Sequence, residues 1–169
     1  PKWIDNNVKH VPMVYGSGTG PNRTYTASEL SSFADFAKTH PSSYWLIWNE
    51  PDYRLQANIT AVIAAAIYKP LRDAIITADP TSKFIVGGLA FMDTVWINSF
   101  REEYKRIYNV YPPLDGWAFH HYMGTDYSSS LWRDRMNNIK RWLSDKGYQS
   151  KEFWLTEYGS LQSNVIGLR

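Results

Sequence analysis

Short apolar, β-prone runs recur along the chain at residues 11–15, 44–48, 84–86, 117–122 and 153–156. Their first residues are separated by 33, 40, 33 and 36 positions. Between them the pattern changes period, with apolar residues three and four apart as on one face of a helix. The first stripe is Leu30, Phe33, Ala34 and Ala37; it opens on Thr26 with Glu29 three positions on, the pairing of a capping box. A second helix is expected over about residues 60–78, kinked at Pro70, whose ring removes a helical hydrogen bond. A third covers about residues 93–108, with Trp96, Phe100, Tyr104 and Ile107 aligned. The fourth, about 130–146, aligns Trp132, Met136, Ile139 and Leu143 and stops at Gly147, a residue type favoured just past helix ends. Strands alternating with helices in this way are βα units, which build a parallel α/β sheet.

Five units at a mean spacing near 36 residues extrapolate to about 285 residues for eight units, the size of a TIM (β/α)8 barrel. The chain has 169 residues. Two architectures therefore stay open: an apparently incomplete barrel with about three units outside the chain, or an open doubly wound sheet, for which five strands are a full set. Length alone favours the open sheet. No internal repeat, linker or low-complexity stretch divides the sequence, so residues 1–169 are expected to form one domain.

Composition narrows the function classes. With 44% hydrophobic residues, 20% charged and a net charge of +2, the chain is too apolar and too weakly charged for a disordered segment. The longest apolar run, residues 61–68, is far shorter than a membrane-spanning helix requires, and no membrane partner is expected. Cysteine is absent, which removes disulfides, thiolate metal sites and a cysteine nucleophile, and leaves the compartment unread. Lys and Arg lead Asp and Glu by only 18 to 16 and form no basic patch, so no nucleic-acid partner is expected. The chain opens at Pro1 without a basic or apolar leader and is read as processed or as an excerpt. The 8 Trp and 12 Tyr point either to a ligand that stacks on rings or to an aromatic core.

Strand ends carry the candidate chemistry. Trp48-Asn49-Glu50-Pro51-Asp52 follows the second apolar run and Thr156-Glu157-Tyr158-Gly159 closes the fifth. In parallel α/β folds the carboxyl ends of the strands form the site. Hydrolysis of a glycosidic bond needs two carboxyls, one to protonate the leaving oxygen and one facing the anomeric carbon. Glu50 and Glu157 meet that requirement, although a strand-end glutamate alone is as easily a surface charge. His120 and His121 are adjacent on a strand and face opposite ways, and no His-Glu-x-x-His spacing exists, so no metal site is expected. The stretch Gly16-Ser17-Gly18-Thr19-Gly20 lacks the pattern of a phosphate loop and reads as a plain loop. Trp48, Tyr53, Tyr127, Trp132 and Tyr158 are the candidate sugar platforms, with Trp132 better placed in its helix stripe. His10 and His40 read as structural, and the sequons at Asn22 and Asn58 matter only in a eukaryotic secretory pathway.

With their flanks, Trp48-Asn49-Glu50-Pro51, His120-His121-Tyr122 and Trp154-Leu155-Thr156-Glu157-Tyr158-Gly159 resemble, in order, the motifs of the clan A glycoside hydrolases. The resemblance covers about residues 8–160. Val11-Pro12-Met13, Asn49-Glu50-Pro51-Asp52 and Trp154-Leu155-Thr156-Glu157 are also similar to family 128, the β-1,3-glucanase type. These motifs are specific for the clan rather than for a substrate. The resemblance implies a retaining (β/α)8 enzyme whose strands three to seven are present. Glu50 is then the acid/base after strand four, and Glu157 the nucleophile after strand seven. Asn49 would hold the 2-hydroxyl of the sugar, and the strand carrying His120 and Tyr122 on one face would bring the clan's tyrosine to the nucleophile. Trp48, Tyr158, His120 and Tyr122 join Asn49 as expected substrate contacts. Neither metal nor organic cofactor is implied, and the expected partner is a β-linked oligo- or polysaccharide. Exposed sheet edges would invite self-association. An inverting hydrolase and a non-catalytic carbohydrate-binding protein on a truncated barrel are the rivals, and the absent phosphate loop disfavours a nucleotide-binding open sheet.

Overall fold

The computed structural model of the chain describes residues 11–16, 24–92, 94–123 and 128–160. The elements alternate without exception: β1 (Met13–Val14), α1 (Ala27–Thr39), β2 (Tyr44–Ile47), α2 (Ala61–Ala78), β3 (Lys83–Leu89), α3 (Val95–Tyr108), β4 (Gly116–Met123), α4 (Ser129–Asp145) and β5 (Glu152–Ser160). The five strands form one parallel sheet in the order β1-β2-β3-β4-β5. Each strand thus lies beside its predecessor, and the sheet never reverses its order as a doubly wound fold must. The fold is a partial (β/α)8 barrel, and the open sheet that length favoured is set aside by topology. Among the described residues β1 and β5 are not paired with each other.

Local chemistry fixes the helix ends. Thr26 and Glu29 form the expected capping box, while the hydroxyls of Thr60 and Ser128 accept from Ile63 N and Leu131 N to start α2 and α4. The helix α2 runs through Pro70. Proline removes the N–H that would serve the carbonyl of Ala66, and that carbonyl instead accepts from the Tyr108 hydroxyl at 3.1 Å. Among the described residues no helix is long and apolar enough to cross a membrane.

One sheet face packs on the helices. Trp45, Ile47, Phe84, Val86, Trp117 and Phe119 point there and are at most 2% exposed. Phe100 of α3 is at its centre, with ring centroids 5.9 Å from Trp48, 5.7 Å from Tyr68 and 6.1 Å from Trp117. The aromatic excess is therefore largely core. The opposite, concave face is closed at its amino end by a polar floor: the Tyr44 hydroxyl donates to Glu152 Oε1 at 2.9 Å, Lys83 donates to that hydroxyl at 3.0 Å, and Trp154 Nε1 donates to Glu152 Oε2 at 2.7 Å. The carboxyl end of the same face carries His120, Tyr122 and Glu157.

Candidate active site

The chain leaves β2 through a contorted loop. Trp48 and Glu50 have φ of 70° and 47°, the left-handed region that residues other than glycine occupy rarely and at a cost of about 1–3 kcal/mol each. A dense set of hydrogen bonds holds them there. Trp48 N donates to Val14 O at 2.8 Å, Glu50 N to Gly88 O at 2.9 Å, Ala57 N to Asn49 O at 3.2 Å and Ile59 N to Pro51 O at 2.9 Å. The Asp52 carboxylate accepts from Ala90 N at 2.9 Å and Phe91 N at 3.3 Å, tying this loop to the one after β3.

Two register shifts flank β4 and decide what faces the cleft. Between β3 and β4 the pairing moves from Gly87↔Ala118 to Leu89↔Phe119, so Gly88 is the extra residue, with φ of 60°. Between β4 and β5 it moves from Phe119↔Leu155 to His120↔Glu157, so Thr156 is extra. Without that bulge, alternation would put Thr156 beside His120 and turn Glu157 toward the helices. The bulge turns Glu157 into the cleft.

The carboxylates meet over one imidazole. His120 Nδ1 is 2.9 Å from Glu50 Oε1 and 3.4 Å from Glu157 Oε2. The Tyr122 hydroxyl donates to Glu157 Oε2 at 2.9 Å. One ligand-type atom each from Glu50, His120 and Glu157 fall within 4.8 Å of one another. The two acids have unlike surroundings: the Glu50 side chain is 9% exposed and that of Glu157 40%. The bond to Glu157 is the main reason the pKa of Tyr122 is raised, with burial and the charges of Glu157 and Glu50 adding to it. His120 is buried, and its Nε2, without a hydrogen-bond partner, lies against Gly88.

Glu50, Glu157, His120 and Tyr122 are therefore brought together as the motifs suggested. His120 touches the carboxylates, so it belongs beneath them rather than among the exposed sugar contacts. Asn49 is in the same loop and is 6% exposed. Trp48 must be corrected: at 1% exposure it offers no face to a sugar, since it packs on Tyr68, Trp96 and Phe100 and its Nε1 donates to the Tyr25 hydroxyl. Tyr158 is 76% exposed but is paired with His121, on the face turned away from Glu157. Tyr53 is half-buried, its ring 5.7 Å from that of Phe91, and Trp132 leans on His121 at 6.3 Å. His40 stacks on Phe36 at 4.0 Å, in keeping with a structural role. Tyr127, His10, Asn22 and residues 17–20 lie outside the described residues. Among the described residues Glu50, His120 and Glu157 are also the group whose spacing could hold a metal ion.

Residue patterns gave no notice of Asp52 as the clamp between two loops, nor of Gly88 as the floor beneath His120. The available signal for Gly88 was the Gly87-Gly88 pair inside a strand pattern, which marks a bulge or a close backbone approach.

The family described as glycosyl hydrolase catalytic core matches residues 2–166. The chain belongs to that family. No curated protein sequence matches it. Among solved structures it is similar to a family 128 subgroup I endo-β-1,3-glucanase from Amycolatopsis mediterranei in complex with laminaritriose, at 21% identity and a TM-score of 0.62 over 95% of this chain and 58% of that one. A subgroup II endo-β-1,3-glucanase from Pseudomonas viridiflava gives 24% identity and 0.62 over 94% and 56%. A glucosidase from Croceicoccus marinus gives 16% identity and 0.70 over 90% and 35%. The chain thus spans a little over half of the first two structures, and at these identities the likeness is one of fold.

Proposed function

We propose that the chain carries the catalytic centre of a retaining hydrolase of β-linked glucans, with Glu50 as acid/base and Glu157 as nucleophile. The observation that carries this reading is the approach of the two carboxylates to within 4.8 Å across one cleft. Retaining enzymes keep the pair about 5–5.5 Å apart, whereas inverting enzymes leave about 6.5–9.5 Å for a water molecule. Glu157, the more open of the two, attacks the anomeric carbon while Glu50 gives its proton to the departing glycosidic oxygen. The covalent glycosyl ester is then cleaved by a water molecule that yields its proton to Glu50. Tyr122 aims the attacking oxygen, and Asn49 holds the neighbouring hydroxyl. β-1,3-Glucans are the substrate class, on the strength of the family 128 structures named above. No cofactor enters this chemistry.

Chemical rescue tests the reading. Glu157→Gly removes the nucleophile and leaves room at the anomeric carbon. Azide should restore turnover of an activated aryl β-glucoside and yield a glycosyl azide of inverted configuration. A chain that hydrolyses the glycoside, yet loses nothing on this substitution, would overturn the assignment. Glycan binding without turnover by the unsubstituted chain would favour a carbohydrate-binding protein.

A further inference from the structure

The turn that carries Glu50 is held from outside itself. Glu50, Pro51, Asp52 and Tyr53 form a tight turn, closed by Tyr53 N donating to Glu50 O at 3.0 Å. Glu50 enters this turn at a φ of 47°, a strained conformation that persists only where the surroundings fix it. Three hydrogen bonds join the turn to the end of β3 and the loop beyond. Glu50 N donates to Gly88 O at 2.9 Å, and the two oxygens of Asp52 accept from Ala90 N at 2.9 Å and Phe91 N at 3.3 Å. The first of these bonds is made by backbone alone and is open to any residue but proline. The other two need a side chain with two acceptor oxygens, and a charged carboxylate accepts more strongly than a neutral amide. The rings of Tyr53 and Phe91, with centroids 5.7 Å apart, extend the same junction. On its other side Glu50 reaches His120 Nδ1 at 2.9 Å, so a rotation of the turn is felt at both the carboxyl and the imidazole.

We propose that Asp52 is a positioning residue for the acid/base. By bridging the loops after β2 and β3 it fixes the backbone of Glu50, and with it the reach of the Glu50 carboxyl toward the glycosidic oxygen. Asp52 acts through Glu50 and not on the substrate. Its part in turnover rests on the hydrolase reading above, whereas its hold on Glu50 is a matter of geometry.

Kinetics and the Nδ1–H signal of His120, followed by NMR, test it together. Asp52→Ala should lower kcat/KM for unactivated laminarin by about 10–100-fold, the range for losing a group that orients a reacting one. For an aryl β-glucoside whose leaving group departs without an acid, kcat/KM should stay nearly unchanged. Asp52→Asn keeps one acceptor oxygen and should recover part of the loss on laminarin. Added to Glu50→Ala, neither substitution should cost anything further there, because the group being positioned is gone. The His120 signal, assigned against His120→Asn, should shift in Asp52→Ala and should not shift again when Asp52→Ala is added to Glu50→Ala. Equal losses on the two substrates, full additivity with Glu50→Ala, or a His120 signal that ignores Asp52→Ala would each overturn the proposal and leave Asp52 as a support of the fold. If Asp52→Ala does not fold, Asp52→Asn carries the same comparisons. A chain that hydrolyses nothing, yet shows the His120 shifts, would sink the hydrolase reading and keep the hold of Asp52 on Glu50.

Discussion

Glu50 Oε1 and His120 Nδ1, seventy positions apart in sequence, meet at 2.9 Å beneath the cleft. Because Nδ1 faces two carboxylates, it is the nitrogen that carries the proton, and Nε2 is left against Gly88 with no partner. His120 therefore bridges the two acids, which suits it to position them.

We predict that His120→Ala lowers kcat by about 10–100-fold, the usual effect of removing a group that orients reacting residues, and reshapes the pH profile. His120→Asn, whose amide can donate from nearly the place of Nδ1, should recover part of both. Profiles of all three proteins that superimpose after scaling would show a purely structural role.

The acid/base assignment predicts a split by leaving group. Glu50→Ala should lower turnover of unactivated laminarin by about 10²–10⁴-fold, the worth of general acid help. An aryl glycoside with a good leaving group should still form the glycosyl-enzyme and accumulate it. Equal losses on both substrates would remove Glu50 from the role.

The Tyr122–Glu157 bond supplies a spectroscopic prediction. A phenol that donates to a carboxylate resists ionisation, which is why the pKa of Tyr122 stands above its ordinary 10.0. Glu157→Gln removes the charge, and the Tyr122 titration, followed by the 13C signal of its ring, should fall toward the ordinary value. A titration that stays in place would mean that burial, not Glu157, holds it up.

Much of this arrangement was legible in the sequence. The period of 3.6 in the stripes gave four helices, the Thr26–Glu29 box gave the start of the first, and the glutamate motifs marked the carboxyl ends of β2 and β5. The facing of Glu157 was not legible. Strict alternation from Trp154 puts Glu157 on the helix side, and only the extra Thr156, a pairing feature with no local signature, reverses it. Trp48 failed for a related reason. Its place beside Glu50 suggested a sugar platform, but a φ of 70° swings it out of the strand pattern and into the core. Sequence order along the sheet, which separated a barrel from an open sheet, depends on distant pairings that periodicity does not carry.

Gly88 is where backbone and chemistry meet most tightly. Its φ is 60°, and a Cβ there would stand 3.3 Å from both His120 Nε2 and the Trp48 carbonyl oxygen. Gly88→Ala should cost on the order of 1–2 kcal/mol in stability from the left-handed conformation. It should also push the imidazole toward the carboxylates, so that kcat falls by more than the loss of folded protein explains. Unfolding curves and kcat measured together decide the matter; full activity per folded molecule would show that His120 tolerates the shift.

We predict that Asp79, at the far end of the molecule from the glutamates, sets the acid limit of stability. It caps α2 and is 6% exposed. Burial alone would raise its pKa, but hydrogen bonds from the Thr81 and Ser82 hydroxyls and from Ser42 N and Thr81 N outweigh it and bring the value from 3.8 to about 2. Ser82 extends the cluster, accepting from Trp45 Nε1 at 3.2 Å. Since the folded pKa is the lower one, the stabilisation is complete above about pH 4 and is lost as the pH falls toward 2. With allowance for solvent screening it amounts to roughly 1–2 kcal/mol. Asp79→Asn keeps an acceptor and removes the titration, so its unfolding free energy should be flatter than that of the unsubstituted chain between pH 4 and pH 2. Asp79→Ala also strands the buried Ser82 hydroxyl and two backbone donors, and should lose about 2–3 kcal/mol near neutral pH. Urea denaturation across this pH range checks both, and curves of equal slope for all three proteins would show that Asp79 does not control the acid limit.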